Sequence, residues 1–338
     1  MIPFAKIVEK DSREDPSNRA NRKIQVSLTK TDIFDKGQVE PKRVSDRAKV
    51  VYRELSSLAD KVEAWVHNDE KIHISEVVSA LRFIIEKDLI DDLYHYITFE
   101  TGEGDQPAAH SIKVTTISLK IGTAMGYDSN ALAGLATIAF LQDVGMYKIS
   151  QDTLNKRGAL SEQELKEIQR HPEISADILS GVDGDYSWLA DVALQVHERA
   201  DGSGYPFGLK QEEIHDYASI IGLADMYSEM ISDGVYQERV EQNKAVRNII
   251  DSAKGAFPPK VVKAFLNQIS FFPLGSYVKM NDRSVGRVID TNPGFPFKPI
   301  VEILFDSLGS KLQKPRLVDL SQQILLYITG IIDEKDIS

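Results

Sequence analysis

The chain changes its hydrophobic period at Pro273, and that switch constrains its fold more than any other feature. Before it, from Val44 onward, apolar residues recur at three- and four-residue spacing, the repeat of an amphipathic helix. After it, short runs alternate apolar and polar residues between clusters of turn formers, the repeat of half-buried strands. The expected fold is mainly α: an all-helical core with an N-terminal helical region and a small C-terminal β module.

The pattern divides the chain into three parts. Residues 1–100 form an N-terminal region, polar at first, in which Asp11–Arg22 reads as loop and Lys23–Thr29 as one strand. Val50, Leu55, Leu58, Val62 and Val66 then mark one long helix, and Ile74, Val77, Leu81 and Ile84 a second that runs towards Tyr96. The two are expected to pack as a hairpin, either as a small α domain or as a stalk for homodimerisation. Gly102–Pro107 breaks the pattern, and residues 105–270 follow as a helical domain. Its helices are expected over Ala108–Met125, stopped by Gly126; from Ser129 to Gly145; from the capping-box pair Ser161 and Glu164 to about Arg170; over Glu173–Ser180 behind Pro172; and over Trp188–His197, Tyr217–Ser232, Gln242–Lys254 and Pro259–Gln268. Residues 274–332 form the β module, with strands at Ser276–Met280, Val285–Asp290, Ile300–Asp306, Leu317–Leu320 and Ile324–Ile328.

Composition removes several function classes. With 338 residues, 42% hydrophobic and 27% charged, the chain can bury a sizeable core. It has no cysteine, so disulfides, thiolate metal sites and thiol nucleophiles are excluded, and any metal must sit on His, Asp, Glu or neutral oxygen donors. No run reaches the ~18 apolar residues of a membrane span, and the N-terminus lacks a signal-peptide core, so the expected location is the cytoplasm. A net charge of −11 opposes binding to nucleic acid, which depends on cationic contacts with phosphate. From Leu274 onward eight Lys and Arg balance eight Asp and Glu, which gives the β module no basic footprint either.

Three of the seven histidines, His110, His171 and His197, fall near helix ends in the helical domain, as do Asp143 and Asp225. A metal site on helices needs such scattered donors, because one helix offers only i, i+3 or i+4 pairs. A lone histidine at a helix end is more often a cap or a surface residue, so spacing alone assigns none of them. Other motifs fail. His197-Glu198 lacks the second histidine of HExxH, Gly202-Ser203-Gly204 lies outside any strand–turn–helix unit, and there is no Walker loop or GxSxG elbow.

The order and wording of residues 105–270 resemble the HD-GYP family of HD metal-dependent phosphohydrolases. The resemblance is carried by Phe140-Leu-Gln-Asp-Val-Gly145, His171-Pro-Glu-Ile-Ser-Ala-Asp-Ile-Leu179 and His197-Glu-Arg-Ala-Asp-Gly-Ser-Gly-Tyr-Pro206, followed by Leu223-Ala-Asp225 and Phe257-Pro-Pro259. It implies a helical domain that holds two or three iron or manganese ions and hydrolyses bacterial cyclic di-GMP. It also implies metal ligands at His110, Asp143, His171, His197 and Asp225. Asp143 would bridge two ions, with His110 and Asp225 on one side and His171 and His197 on the other. Gly202, Gly204, Tyr205 and Pro206 would form the loop beside the site. Tyr205, Gly204 and Arg199 are candidates for contact with the nucleotide. Against that role for Arg199 stands the plainer, preferred one of a solvated arginine at a helix end.

Several positions depart from the family's wording. The eponymous His–Asp pair is Gln142–Asp143, the lysine after the glycine is Met146, and the doubled histidine is Val196-His197. Gln106, Ser175 and Ser228 replace an acidic residue, a glycine and an aspartate. Each of the two main metal positions thereby loses an imidazole. Gln142 remains a candidate catalytic residue beside Asp143 through its carbonyl oxygen, a weaker ligand than imidazole for iron or manganese. The expectation is a degenerate member in bacterial cyclic di-GMP signalling, a nucleotide sensor or scaffold that binds a cyclic dinucleotide or a signalling protein through the GYP loop, with a crippled metal centre or no metal at all. The alternative is a phosphodiesterase with an altered or mononuclear site. If no metal is held, Asp143 and Asp225 would repel each other and require an intervening water, Lys or Arg.

Overall fold

The computed structural model describes residues 46–99, 107–156, 158–182, 184–232, 240, 242–269, 271–272, 275–292 and 294–332. The strand expected at Lys23–Thr29 and Gln106 lie outside them. The described residues fall into two compact units, one within Val44–Phe271 and one within Phe272–Ser338.

The first unit is helical. Helices α1 (Asp46–His67), α2 (Ile74–Glu86) and α3 (Ile90–Phe99) open it. The second helix expected by period is thus two: Asp88 takes a positive φ of 54°, a left-handed turn that ends α2 and restarts the chain as α3. The hairpin packs only weakly on itself. Its helices lie on the domain instead, α1 and α3 on α4 (Pro107–Ala124) and α2 on α5 (Ser129–Leu141). Val51, Leu55, Leu81 and Leu93 are almost wholly buried there. The apolar stripes that prompted a dimerisation stalk are therefore used within the chain's own core.

Helix α4 is the hub, touching α1, α3 and α5 as well as α10 (Asp216–Ile231) and α12 (Pro259–Gln268). A helix covered on several sides needs no polar face. Its buried Thr115 and Thr116 hydroxyls are satisfied locally, donating to the carbonyls of Ser111 and Ile112 at 2.7 Å. Helix α5 is buried almost all round, from Leu132 to Leu141. After it come a 3-10 turn (Val144–Lys148) and α6 (Gln151–Leu154), α7 (Glu162–Ile168), α8 (His171–Ser180) and α9 (Trp188–Ala193). Helix α11 (Gln242–Ser252) lies between α10 and α12.

Two helix ends differ from the periodic reading, and both place site residues. Helix α5 stops at Leu141 rather than Gly145. Asp143 leaves helical geometry at φ −101°, ψ 13°, because the 3-10 turn must press Gly145 against α8: a Cβ there would lie 2.3 Å from the His171 carbonyl oxygen. Helix α9 stops at Ala193 rather than His197. Beyond it the Gln195 and Glu198 amides donate to the Val192 and Gln195 carbonyls at 2.9 and 3.0 Å, three residues back rather than four, so the chain goes on as tighter turns. The Arg199 guanidinium and the Tyr205 amide then occupy the Val196, Glu198 and His197 carbonyls.

The second unit is an antiparallel sheet of β1 (Tyr277–Met280), β2 (Val285–Asp290), β3 (Ile300–Phe305), β4 (Lys311–Asp319) and β5 (Ile328–Ile332), in the order β4-β3-β2-β1-β5. Its buried face includes Val278, Met280, Val288, Val301 and Ile303. Two strands differ from expectation. β4 begins six residues early and carries Pro315, tolerated because β4 is an edge strand. Ile324 and Leu325 are not in a strand but stand exposed before β5, where the Leu325 carbonyl accepts from the Asn281 side chain at 3.0 Å. No described helix is long and apolar enough to cross a membrane.

Candidate metal centre

Five side chains from five places in the helical unit converge. His110 comes from the first turns of α4, Asp143 from the break after α5, His171 from the start of α8, His197 from the turn after α9 and Asp225 from the middle of α10. The Asp143 carboxylate stands at the centre. Its Oδ2 lies 3.4 Å from His110 Nε2, and its Oδ1 lies 3.2 Å from His171 Nε2 and 3.9 Å from His197 Nε2. His110 Nε2 is also 2.9 Å from Asp225 Oδ1. The donors form two triads that share Asp143: His110, Asp143 and Asp225, and Asp143, His171 and His197. Within each triad the donor atoms lie within 4.8 Å of one another.

The donor chemistry fits a divalent metal. Asp143 Oδ1 is buried and accepts no hydrogen bond among the described residues, although two imidazoles face it at 3.2 and 3.9 Å. His171 Nε2 and His197 Nε2 meet at 2.8 Å. His171 Nδ1 donates to the Ile168 carbonyl at 2.8 Å, which in the neutral ring leaves the Nε2 lone pair turned inward, the usual device for orienting a ligand histidine. Imidazole and carboxylate donors suit borderline and hard divalent ions, and three donors per ion leave coordination positions open. Gln142 is buried, and its Oε1 has no hydrogen-bond partner among the described residues, so an oxygen donor remains beside Asp143.

Protons fill the same role electrostatically. Burial works to lower the pKa of His110, but the neighbouring Asp143 and Asp225 carboxylates outweigh it and hold the ring well above its ordinary value. His171 is likewise raised, Asp143 overcoming the effect of burial. Burial would raise Asp143, yet the three imidazoles hold it well below the usual carboxylate range. His110 stands between Asp143 and Asp225, its Nε2 3.4 and 2.9 Å from their carboxylate oxygens, and is the described side chain that separates the two charges.

The loop beside the centre is anchored from below. Glu198, buried, accepts from three successive amides, Phe207 at 2.7 Å, Gly208 at 3.1 Å and Leu209 at 2.9 Å. Tyr205 stacks on the His197 ring, with centroids 4.9 Å apart and planes 7° from parallel. Gly204 lies against backbone: a Cβ there would sit 2.4 Å from Arg199 N and Glu198 Cα, so the glycine serves close packing. Arg199 is half-buried and bonded to its own loop. Its guanidinium donates to the Val196 and Glu198 carbonyls at 3.1 and 2.9 Å and lies 4.8 Å from the Phe257 ring centre, and burial lowers its pKa.

A protein-family model described as an HD domain matches residues 87–261. The chain belongs to the HD domain family. A second model, a KOW domain associated with HD domains, matches residues 277–338, the β module. Among curated relatives of this HD domain, the cyclic di-GMP phosphodiesterase PdeB of Borreliella burgdorferi is 33% identical over 56% of the chain and 50% of its own length. The cyclic di-GMP phosphodiesterase PA4108 of Pseudomonas aeruginosa is 29% identical over 63% and 51%. A 3'3'-cGAMP-specific phosphodiesterase of Vibrio cholerae is 27% identical over 49% and 36%. The chain thus spans about half the length of the first two relatives, and less of the third. The solved structure of Bd1817, an HDG"Y"P protein from Bdellovibrio bacteriovorus, shares the fold with a TM-score of 0.53 at 16% identity, over 70% of this chain and 74% of that one.

Three residues that the sequence did not single out for the site belong near it. Glu229 lies one helical turn beyond Asp225, exposed on α10, and reduced hydration beside the centre together with the Asp225 charge raises its carboxyl. Its i+4 spacing from Asp225 was the available signal. Glu198 carries the loop, and nothing in the motif wording distinguished it from a ligand. Ser175, noted only as a departure, accepts a hydrogen bond from the Gly145 amide.

Proposed function

We propose that this HD domain is a metal-holding receptor for a cyclic dinucleotide, in bacterial signalling of the cyclic di-GMP type, that hydrolyses its ligand weakly or not at all. The observation that supports it most is the composition of the two triads. Each keeps three donors around the shared Asp143 carboxylate, while Gln142, Val196 and Met146 stand where the family's wording has two imidazoles and a lysine. Iron or manganese is the proposed metal.

When bound, such ions supply neutralisation of phosphodiester charge and a water of lowered pKa. The chain's own residues do the rest. Asp143 would bridge, and His110 with Asp225, and His171 with His197, would complete the two positions. Tyr205 holds the His197 ring in its plane by stacking, and Glu198 fixes the loop that carries Tyr205. Met146 brings no cation to a phosphate, and Val196 is buried and brings no donor. The GYP loop is the proposed contact for the nucleotide or for a partner protein.

The test is metal analysis of protein purified without chelators, followed by binding and turnover of cyclic di-GMP and of 3'3'-cGAMP. Binding is expected with turnover absent or orders of magnitude below that of Gln142→His/Val196→His/Met146→Lys supplied with iron or manganese. One observation favours a second reading, a working phosphodiesterase: three protein donors with open positions is the ligand count of many catalytic zinc sites. Cleavage by the unaltered chain at a rate comparable to the triple variant, abolished by chelation, would establish it.

A further inference from the structure

A buried side-chain hydrogen bond joins the turn that carries Asp143 to the helix that carries His171. The Gly145 amide donates to Ser175 Oγ at 2.8 Å, and Ser175 is wholly buried. Gly145 lies two residues after Asp143, and Ser175 lies four residues after His171, on the same face of α8. The contact is close because Gly145 has no side chain: a Cβ on it would fall 2.6 Å from the Ser175 amide nitrogen and 2.3 Å from the His171 carbonyl oxygen. The Asp143 carbonyl in turn accepts from the Met146 amide at 2.9 Å, so the turn is closed on itself and tethered to α8. Across that tether Asp143 Oδ1 and His171 Nε2 face each other at 3.2 Å.

We propose that Ser175 is a positioning residue for the Asp143–His171–His197 triad, setting the separation of Asp143 and His171 through Gly145. The proposal rests on reading the centre as a metal site. A ligand set reduced to three donors depends on their alignment, and partners that orient ligands typically govern metal affinity by about 10–100-fold. The hydroxyl touches neither α4 nor α10, which carry His110 and Asp225. Asp143 is common to both triads, so the effect reaches both metal positions and is larger at the one that also holds His171, the residue on the helix Ser175 belongs to.

The experiment is a calorimetric Mn2+ titration of the full chain, unaltered and as Ser175→Ala and Ser175→Gly. Binding steps are assigned with His171→Ala and His110→Ala, and the two-ion form is followed by electron paramagnetic resonance. The expected result is about tenfold weaker binding in the step lost in His171→Ala, a clearly smaller weakening in the step lost in His110→Ala, and an altered two-ion spectrum. Equal weakening of both steps, or of neither, overturns the positioning role while leaving the metal centre standing. Absence of Mn2+ binding by the unaltered chain overturns the centre and this role with it. Hydrogen exchange of the Gly145 amide in the unaltered chain is a check that needs no variant: strong protection is expected, and exchange as fast as in an exposed loop overturns the proposal.

Discussion

Asp143 is the residue on which both triads depend, and its electrostatics predict how the centre responds to pH. In the metal-free chain His110 and His171 are raised and Asp143 is lowered. A raised imidazole contributes stability that is fully present below its unfolded value near ~6.5 and is lost as pH rises through the folded value. A depressed carboxylate contributes stability present above ~3.9 and lost as pH falls through its folded value. The metal-free cluster therefore stabilises the fold most between those limits. A divalent ion must displace the same protons, so Mn2+ binding at pH 7 should release protons and tighten as pH rises. Titrations in buffers of different ionisation enthalpy measure this, and proton release should vanish in Asp143→Asn together with binding. Removing Arg199 tests what its bonds to the loop backbone contribute to stability. Arg199→Ala should cost about 2 kcal/mol in a denaturant midpoint, the scale of a hydrogen bond from a charged group, through the loss of its bonds to two carbonyls. At this scale Asp143, His171, His197 and Asp225 were legible as a group because the motif words that hold them survive, and His110 through the family resemblance alone; the structure brings all five together. The contacts of Arg199, Gly204 and Ser175 were not, because they depend on how the backbone turns to meet them: Arg199 and Gly204 on the fold of residues 196–204, Ser175 on Gly145 thirty residues earlier.

Helix ends were legible where a local residue sets them and illegible where tertiary contacts do. Gly126, at φ 81°, ends α4 within two residues of its expected stop, and Pro172 opens α8 as expected. At α7 the reciprocal capping box of Ser161 and Glu164 is present: Ser161 Oγ accepts from the Glu164 amide at 3.3 Å, and Glu164 accepts from the Ser161 amide at 2.7 Å. Ser161→Ala should cost about 1 kcal/mol of stability, read from the urea midpoint. The Glu164 carboxyl is pushed down to about 2, chiefly by Lys156 and then by Ser161. Its folded value lies below the unfolded one, so the contribution of the cap is present above ~4.3 and fades as pH falls towards 2. The difference between Ser161→Ala and the parent should shrink over that window. The ends of α5 and α9 follow no such local rule. Apolar periodicity runs through Leu141 and through Val196, but Gly145 must approach α8 after the first, and the second gives way after Ala193 to turns bonded three residues back. Gly145→Ala should show the force of that approach. Overpacking against backbone that cannot yield costs about 1–3 kcal/mol, and the displaced turn should weaken Mn2+ binding as well.

At the scale of the molecule, the change of hydrophobic period at Pro273 was the most legible feature, because helices and strands bury apolar residues at different spacings regardless of the fold around them. What the period could not show was that α1–α3 have no core of their own. Their buried residues, Leu55, Val77, Leu81, Ile84 and Leu93 among them, meet α4 and α5, so the N-terminal helices complete the HD domain rather than precede it. The family model itself begins at residue 87, within this helical region. Removing α1 would delete Val51, Leu55, Leu58 and Val62 and bare the faces of α3 and α4 that they cover. At roughly 1.5–3 kcal/mol for each fully buried aliphatic side chain, four such residues represent about 6–12 kcal/mol, comparable with the ~5–15 kcal/mol that holds a domain folded. A chain lacking residues 1–68 should therefore lose cooperative unfolding and Mn2+ binding together, although none of the five site residues is deleted. A chain ended after Phe272 keeps the whole helical unit and all five, and it should retain both. Far-UV circular dichroism melts and Mn2+ titrations of the two truncations decide the matter. A cooperative, metal-binding product from the first truncation would mean that α4 and α5 hold the centre without the N-terminal helices.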